Sequence, residues 1–168
     1  MSDTRSSIIL DLWRRGAYLN VNGLHEPSDT ISRLEWRRAS PEAVESSVVG
    51  RVTAEDARAT AMVLDLDAPE RFPGPGDTLI SVGDESTGAS GVVAVSAGRG
   101  SNLLWLAVFD FSNPFERKTL RILDADRFTV ETNHRAEWTF SISDPSRIVV
   151  RRGEFGWPLW DFWPETAP

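Results

Sequence analysis

Three acidic side chains, Asp110, Glu131 and Glu137, fall in stretches where apolar and polar residues alternate. Two carboxylates facing each other across a sugar cleft can act as acid, base or nucleophile on a glycosidic bond, provided they stand about 5 to 10 Å apart. Glu137 also adjoins Trp138, and small jelly-roll glycosidases line their clefts with tryptophan. These three are the catalytic candidates of the chain. Against them, any half-buried strand puts polar groups on its wet face, and spacing alone does not set the distance between two carboxylates.

The second group is the aromatic run near the end, Phe155-Gly156-Trp157-Pro158-Leu159-Trp160-Asp161-Phe162-Trp163-Pro164. In a polyproline-like backbone residues three apart share a face, which aligns Trp157, Trp160 and Trp163. Two readings fit. The arm folds back and seals the domain, or Trp157, Trp160, Phe162 and Trp163 form a binding surface of the aromatic type that concentrates affinity at interfaces.

Other chemistries find no support. With no cysteine, thiol nucleophiles, disulfides and thiolate metal sites are absent. The two histidines, His25 and His134, lie in polar stretches, read as solvated loops, and no zinc spacing brings them together, so no metal site and no cofactor is expected. The stretch Gly83-Asp84-Glu85-Ser86 superficially resembles the Gly-Asp-Ser opening of lipase and esterase families. Glu85 separates the Asp from the Ser, however, and no Asp-x-x-His follows. No phosphate-binding Gly-x-x-x-x-Gly-Lys pattern occurs, and Lys118 is the only lysine.

The elements that must position these groups are strands. Leu103 to Ser112 is apolar on both faces, with Leu103, Trp105, Ala107, Phe109 and Phe111 on one side and Leu104, Leu106 and Val108 on the other, the mark of a central strand covered twice. Thr119 to Leu123, Phe128 to Thr132 and Glu137 to Ile142 follow, separated by Asp124-Ala125-Asp126 and later by Asp144-Pro145-Ser146 before Ile148 to Val150. Thr78 to Val82 and Val92 to Ser96 flank a Gly/Ser-rich connection. Val48 to Thr53 and Arg58 to Leu66 read as a hairpin, with Thr53 and Asp56 a competing helix cap. Ser40-Pro41-Glu42 opens the one expected helix, near residues 41 to 46. Ala68 to Asp77 is a Pro/Gly-rich loop within one domain.

The expected fold is all-β and mainly antiparallel: a two-layer sandwich of about ten strands, or alternatively a closed barrel, with one short helix. Residues 1–168 form a single domain ending in a Trp/Pro-rich arm at 155–168, and Trp105, Phe109, Trp138, Phe140 and Val149 lie in or near its core. The net charge of −7 disfavours nucleic acid as a partner. No apolar run spans a membrane, and Asp11, Arg14 and Arg15 interrupt any leader-like stretch, so the cytoplasm is the expected location. The function this supports is non-catalytic protein binding, toward a partner that is basic or toward a second copy, as an inhibitor-like or assembly protein. A carbohydrate-binding module or small glycoside hydrolase is the alternative, and a barrel holding a hydrophobic small molecule the next.

Overall fold

The computed structural model describes residues 6–73, 76–85, 90–110 and 114–153, apart from the side chain of Glu85. Helix α1 (Ile8–Arg14) is followed by β1 (Ala17–Leu19), β2 (Gly23–His25), β3 (Thr30–Ser40), β4 (Ala43–Thr53), β5 (Ala61–Leu66), β6 (Glu70–Arg71) and β7 (Leu79–Glu85). The second half adds β8 (Gly91–Ala97), β9 (Asn102–Phe109), β10 (Phe115–Ile122), β11 (Arg127–Thr132), β12 (Glu137–Ser141) and β13 (Val149–Arg151). All pairings are antiparallel, and the strands join in one open sheet in the order β1-β5-β7-β8-β9-β2-β3-β4-β13-β12-β11-β10, with β6 on β7.

This sheet folds over on itself into two layers, so that β10 at one end packs against β7 and β8 without a hydrogen-bonded ladder to close a barrel. Between the layers lies a core of Val82, Val93, Val95, Trp105, Phe109, Phe115, Phe128, Val130, Trp138, Phe140 and Val150. A second cluster occupies the other face of β8 and β9, where Val92, Ala94, Leu106 and Val108 meet Ile9, Tyr18 and Leu19 from α1 and β1. The two-sided apolar pattern of β9 thus has its expected cause. One residue breaks it: a register shift between Val95 and Ser96 leaves Leu104 without a partner opposite, so Leu104 is exposed and Leu103 joins the second cluster rather than the face of Trp105. An extra residue in one strand reverses the facing of all that precedes it.

Several local expectations are overturned. No helix follows Ser40: Pro41 and Glu42 make a two-residue turn, and Ala43 begins the eleven-residue β4. The helical cap signal lost to pairing along the full length of β3. The proposed hairpin of 48–53 with 58–66 also fails, because β4 takes β3 and β13 as neighbours while β5 pairs with β1 and β7. Thr53 and Asp56 do bond, Thr53 Oγ1 accepting from Asp56 N at 3.0 Å, but this closes a turn only. Val149, expected in or near the core, is half-buried at its margin, and its neighbour Val150 is fully buried within it. The helix that does exist, α1, is held from outside: Asp29 Oδ1 accepts from Ile9 N at 2.9 Å and Oδ2 from Ile8 N at 3.1 Å.

The sheet ends are guarded. β1 is three residues long, and β10 carries Arg117, Lys118 and Arg121, so neither outer edge offers a long flat apolar ladder.

Candidate functional site

One opening with a mostly apolar lining arises from unequal strand lengths. β3 pairs with β4 along nearly its whole length but with β2 only through Ile31 and Ser32. β2 begins at Gly23, so from Leu34 to Ser40 no described strand lies on the β2 side of β3. A cleft of about 330 Å³ occupies that place, lined by Val21, Asn22, Gly23, Arg33, Leu34, Trp36, Phe109 and Asp110.

Its floor is aromatic. Trp36 is half-buried and touches Phe109, with ring centroids 6.1 Å apart, and Trp138 at 5.4 Å. Trp138 in turn lies 4.8 Å from Phe109 and 5.3 Å from Phe115. The indole N–H of Trp138 is buried with no hydrogen-bond partner among the described residues. Contacts of this kind contribute about 0.5–1.5 kcal/mol each beyond area burial, which makes the floor stiff. Gly23 is required at the inner end: its φ is 139°, and a Cβ there would stand 2.4 Å from Ser32 O.

His25 holds the same end in place. Rather than a solvated loop residue it is a fully buried strand residue, opposite Ile31 and Leu106. Its Nε2 donates to Val21 O at 2.7 Å, fixing the bend from which β2 starts, while Nδ1 is buried without a partner. Burial lowers its pKa to about 4, although the Val21 carbonyl favours the protonated ring. His134 sits in the exposed turn between β11 and β12.

Of the three carboxylates, Asp110 is the one in the cleft. Its Oδ1 accepts from Ser90 Oγ at 3.2 Å, and its backbone N–H donates to Asn22 Oδ1 at 3.3 Å. Glu131 and Glu137 are brought together as direct cross-strand partners on the outer face of β11 and β12. Arg121 stands between them, 2.8 Å from Glu137 Oε2 and 3.5 Å from Glu131 Oε1, with Arg151 4.0 Å from Glu137. A guanidinium shared by two carboxylates neutralises charge on a sheet face, and neither glutamate lines the cleft. Trp157, Trp160, Phe162 and Trp163 lie outside the described residues.

A second opening of about 440 Å³, of mixed polar and apolar lining, lies between Glu45, Asp126, Arg127, Phe140, Ser141 and Arg147. Here the hydroxyl of Ser141 and then the backbone N–H of Ser143 hold the Asp126 carboxyl below the usual range. The bonds, 2.5 Å and 2.9 Å long, tie two turns together. Among the described residues no group of three or more His, Asp or Glu is arranged to hold a metal ion.

Nothing in the sequence marks Arg33, Leu34 and Trp36 as site residues: Leu34 and Trp36 alternate with Arg33, Glu35 and Arg37 in the period-2 manner of any half-buried strand. That they border an opening depends on the shortness of β2. Comparison with protein-family models, with curated proteins and with solved structures found no match.

Proposed function

We propose that the protein is a non-catalytic binding domain that takes an extended, apolar segment of another protein into the cleft beside β3. The observation that carries this reading is the edge of β3 from Leu34 to Ser40, which has no strand beside it among the described residues, set next to an aromatic floor made by Trp36 and Phe109. A strand laid there gains main-chain hydrogen bonds from the edge and places alternate side chains on the rings. Arg33 and Asp110 flank the apolar part, so the ends of the segment meet one cation and one anion. The net charge of −7 favours rapid encounter with a basic partner, and a chain without cysteine suits the reducing cytoplasm.

The test is a photo-crosslinking residue at Leu34 in the cleft, compared with one at exposed Val63 on β5, in the native host. A defined protein crosslinked from position 34 and not from position 63 is the expected result. Equal capture at both positions, or none, overturns the reading.

A carbohydrate ligand is the second reading, favoured by the half-buried indole of Trp36 beside the carboxylate of Asp110 and the amide of Asn22. A shift of the Trp36 indole resonance on titration with oligosaccharides, without a crosslinked protein, supports it instead.

A further inference from the structure

We propose that the segment this cleft takes is the free C-terminus of its partner, ending in an apolar residue over Leu34 and Phe109 and carrying a cation at the penultimate position. The proposal deepens the strand-binding reading and rests on it.

The first argument is direction. β2 is antiparallel to both β3 and β9, so the two walls of the cleft, β3 and the end of β9, run parallel to each other two strand spacings apart, about 9.5 Å. One strand fits between them. It is antiparallel to both walls only if it runs as β2 does, from the tip of the β3–β4 hairpin toward Gly23.

The second argument is that this inner end is blind. A Cβ on Gly23 would stand 2.4 Å from Ser32 O and 3.7 Å from the Arg33 Cα, so β2 already fills the place beside Ser32 and Arg33. A segment paired with Leu34 meets Gly23 where its next residue would lie. A chain that ends there needs no such place, and its carboxylate comes level with Arg33, an exposed residue with no ion pair among the described residues. Capture of a terminal carboxylate is an established way of ending an added strand.

The third argument is the order of charges along β3. Thr30 O accepts from Glu26 N at 2.9 Å, so the main-chain groups of Thr30 point to the β2 side, and those of Ser32, Leu34 and Trp36 follow by alternation. The register shift after Arg33 leaves β3 unbroken, because the extra residue is Val49 of β4. Leu34 and Trp36 therefore offer N–H and C=O to the segment and turn their side chains onto the core, while Arg33, Glu35 and Arg37 face the other way. Directly opposed residues of an antiparallel pair share a face. With the last residue of the segment opposite Leu34, the third from the end lies opposite Trp36, and both face the aromatic floor. The penultimate residue lies opposite Glu35, with Asp110 on the far wall, and the fourth from the end lies opposite Arg37. Glu35 and Arg37 already hold each other at 2.9 Å, so a cation and then an anion in those two places extend one alternating set of charges.

The experiment is calorimetric titration of the full-length chain with the octapeptide Gly-Ser-Gly-Ser-Glu-Leu-Arg-Val, as the free acid and as the C-terminal amide. Binding of the acid at least ten-fold tighter than the amide is the expected result. Arg33→Gln should abolish that difference without weakening the amide. Glu35→Lys should reverse the penultimate preference, so that a peptide with Glu in place of Arg binds at least ten-fold tighter than the original. Equal binding of acid and amide overturns the proposal, as does equal weakening of both by Arg33→Gln. Crosslinking from position 34 separates this proposal from the reading it rests on. If a partner is captured there while acid and amide bind alike, the terminus proposal falls and the strand-binding role stands. If nothing is captured and neither peptide binds, both fall.

Discussion

The indole ring of Trp36 meets that of Trp138 edge to face, with centroids 5.4 Å apart and planes at 84°. Through this contact the half-exposed edge of β3 is braced directly on the deepest part of the core, because Trp138 is completely buried and also touches Phe109, Phe115 and Phe140. Truncation of the two should therefore differ. Trp138→Ala is expected to cost about 3–5 kcal/mol, as for other fully buried aromatics, and Trp36→Ala about 1–3 kcal/mol. Urea denaturation of both variants measures this, and equal losses would mean that Trp36 is as essential to the core as Trp138.

His25 makes stability depend on pH. Its folded pKa of about 4 lies below the ordinary value of 6.5, so between these limits the unfolded chain binds a proton that the folded chain refuses. Its contribution is complete above pH 6.5 and is lost as pH falls toward 4, by roughly 3 kcal/mol in all. The difference in unfolding free energy between the parent and His25→Leu should be constant above pH 6.5 and shrink below it. A difference that stays flat down to pH 4.5 would show that the ring titrates normally in the fold.

Asp29 couples the β2–β3 turn to α1. Its backbone φ of 63° suits Asn or Gly, and its carboxylate receives two helix N–H groups as well as the hydroxyl of Ser7. Asp29→Gly preserves the turn and removes the cap, with an expected loss of about 1–2 kcal/mol. Hydrogen exchange should accelerate in Ile8–Arg14 before it does so in β8 and β9. Unchanged exchange in the helix would mean that Ser7 alone suffices as its cap.

Glu131 and Glu137 test whether their face is more than wet sheet. Arg121 is 58% exposed, and pairs at such positions are screened by water. A double-mutant cycle with Arg121→Ala and Glu137→Gln should return a coupling below about 1 kcal/mol, weakening further in high salt. Coupling of several kcal/mol, or hydrolysis of a glycoside that either change abolishes, would return these residues to the catalytic role their sequence positions suggested.

Strands were legible in the second half of the chain because alternation there is local. Trp138 and Phe140 are buried between half-exposed Glu137, Thr139 and Ser141, and Phe128 to Thr132 behaves similarly except that Thr129 is also buried, donating to Trp138 O at 3.0 Å. The first half misled because its signals compete. Ser40-Pro41-Glu42 is as good an opening for a helix as for a turn, and only the register of β3 on β4 selects the turn.

What the amino-acid order alone determined is the class of fold and the place of its central strand, since side-chain facing in an unbroken strand follows from residue parity, whereas the bulge at Leu104 that turns Leu103 to the other face comes from pairing with β8. It also determined that cysteine chemistry is absent and that the chain is acidic. The tertiary structure decided the rest. A seven-residue helix is too short to persist alone, and α1 exists because Asp29, about twenty residues later, bonds its first turn. His25 is buried because β2 lies between β3 and β9, and the cleft exists because β2 is shorter than the strands on either side of it. Pairing, capping and strand-length mismatch are relations between distant segments, and no local pattern in either segment records them.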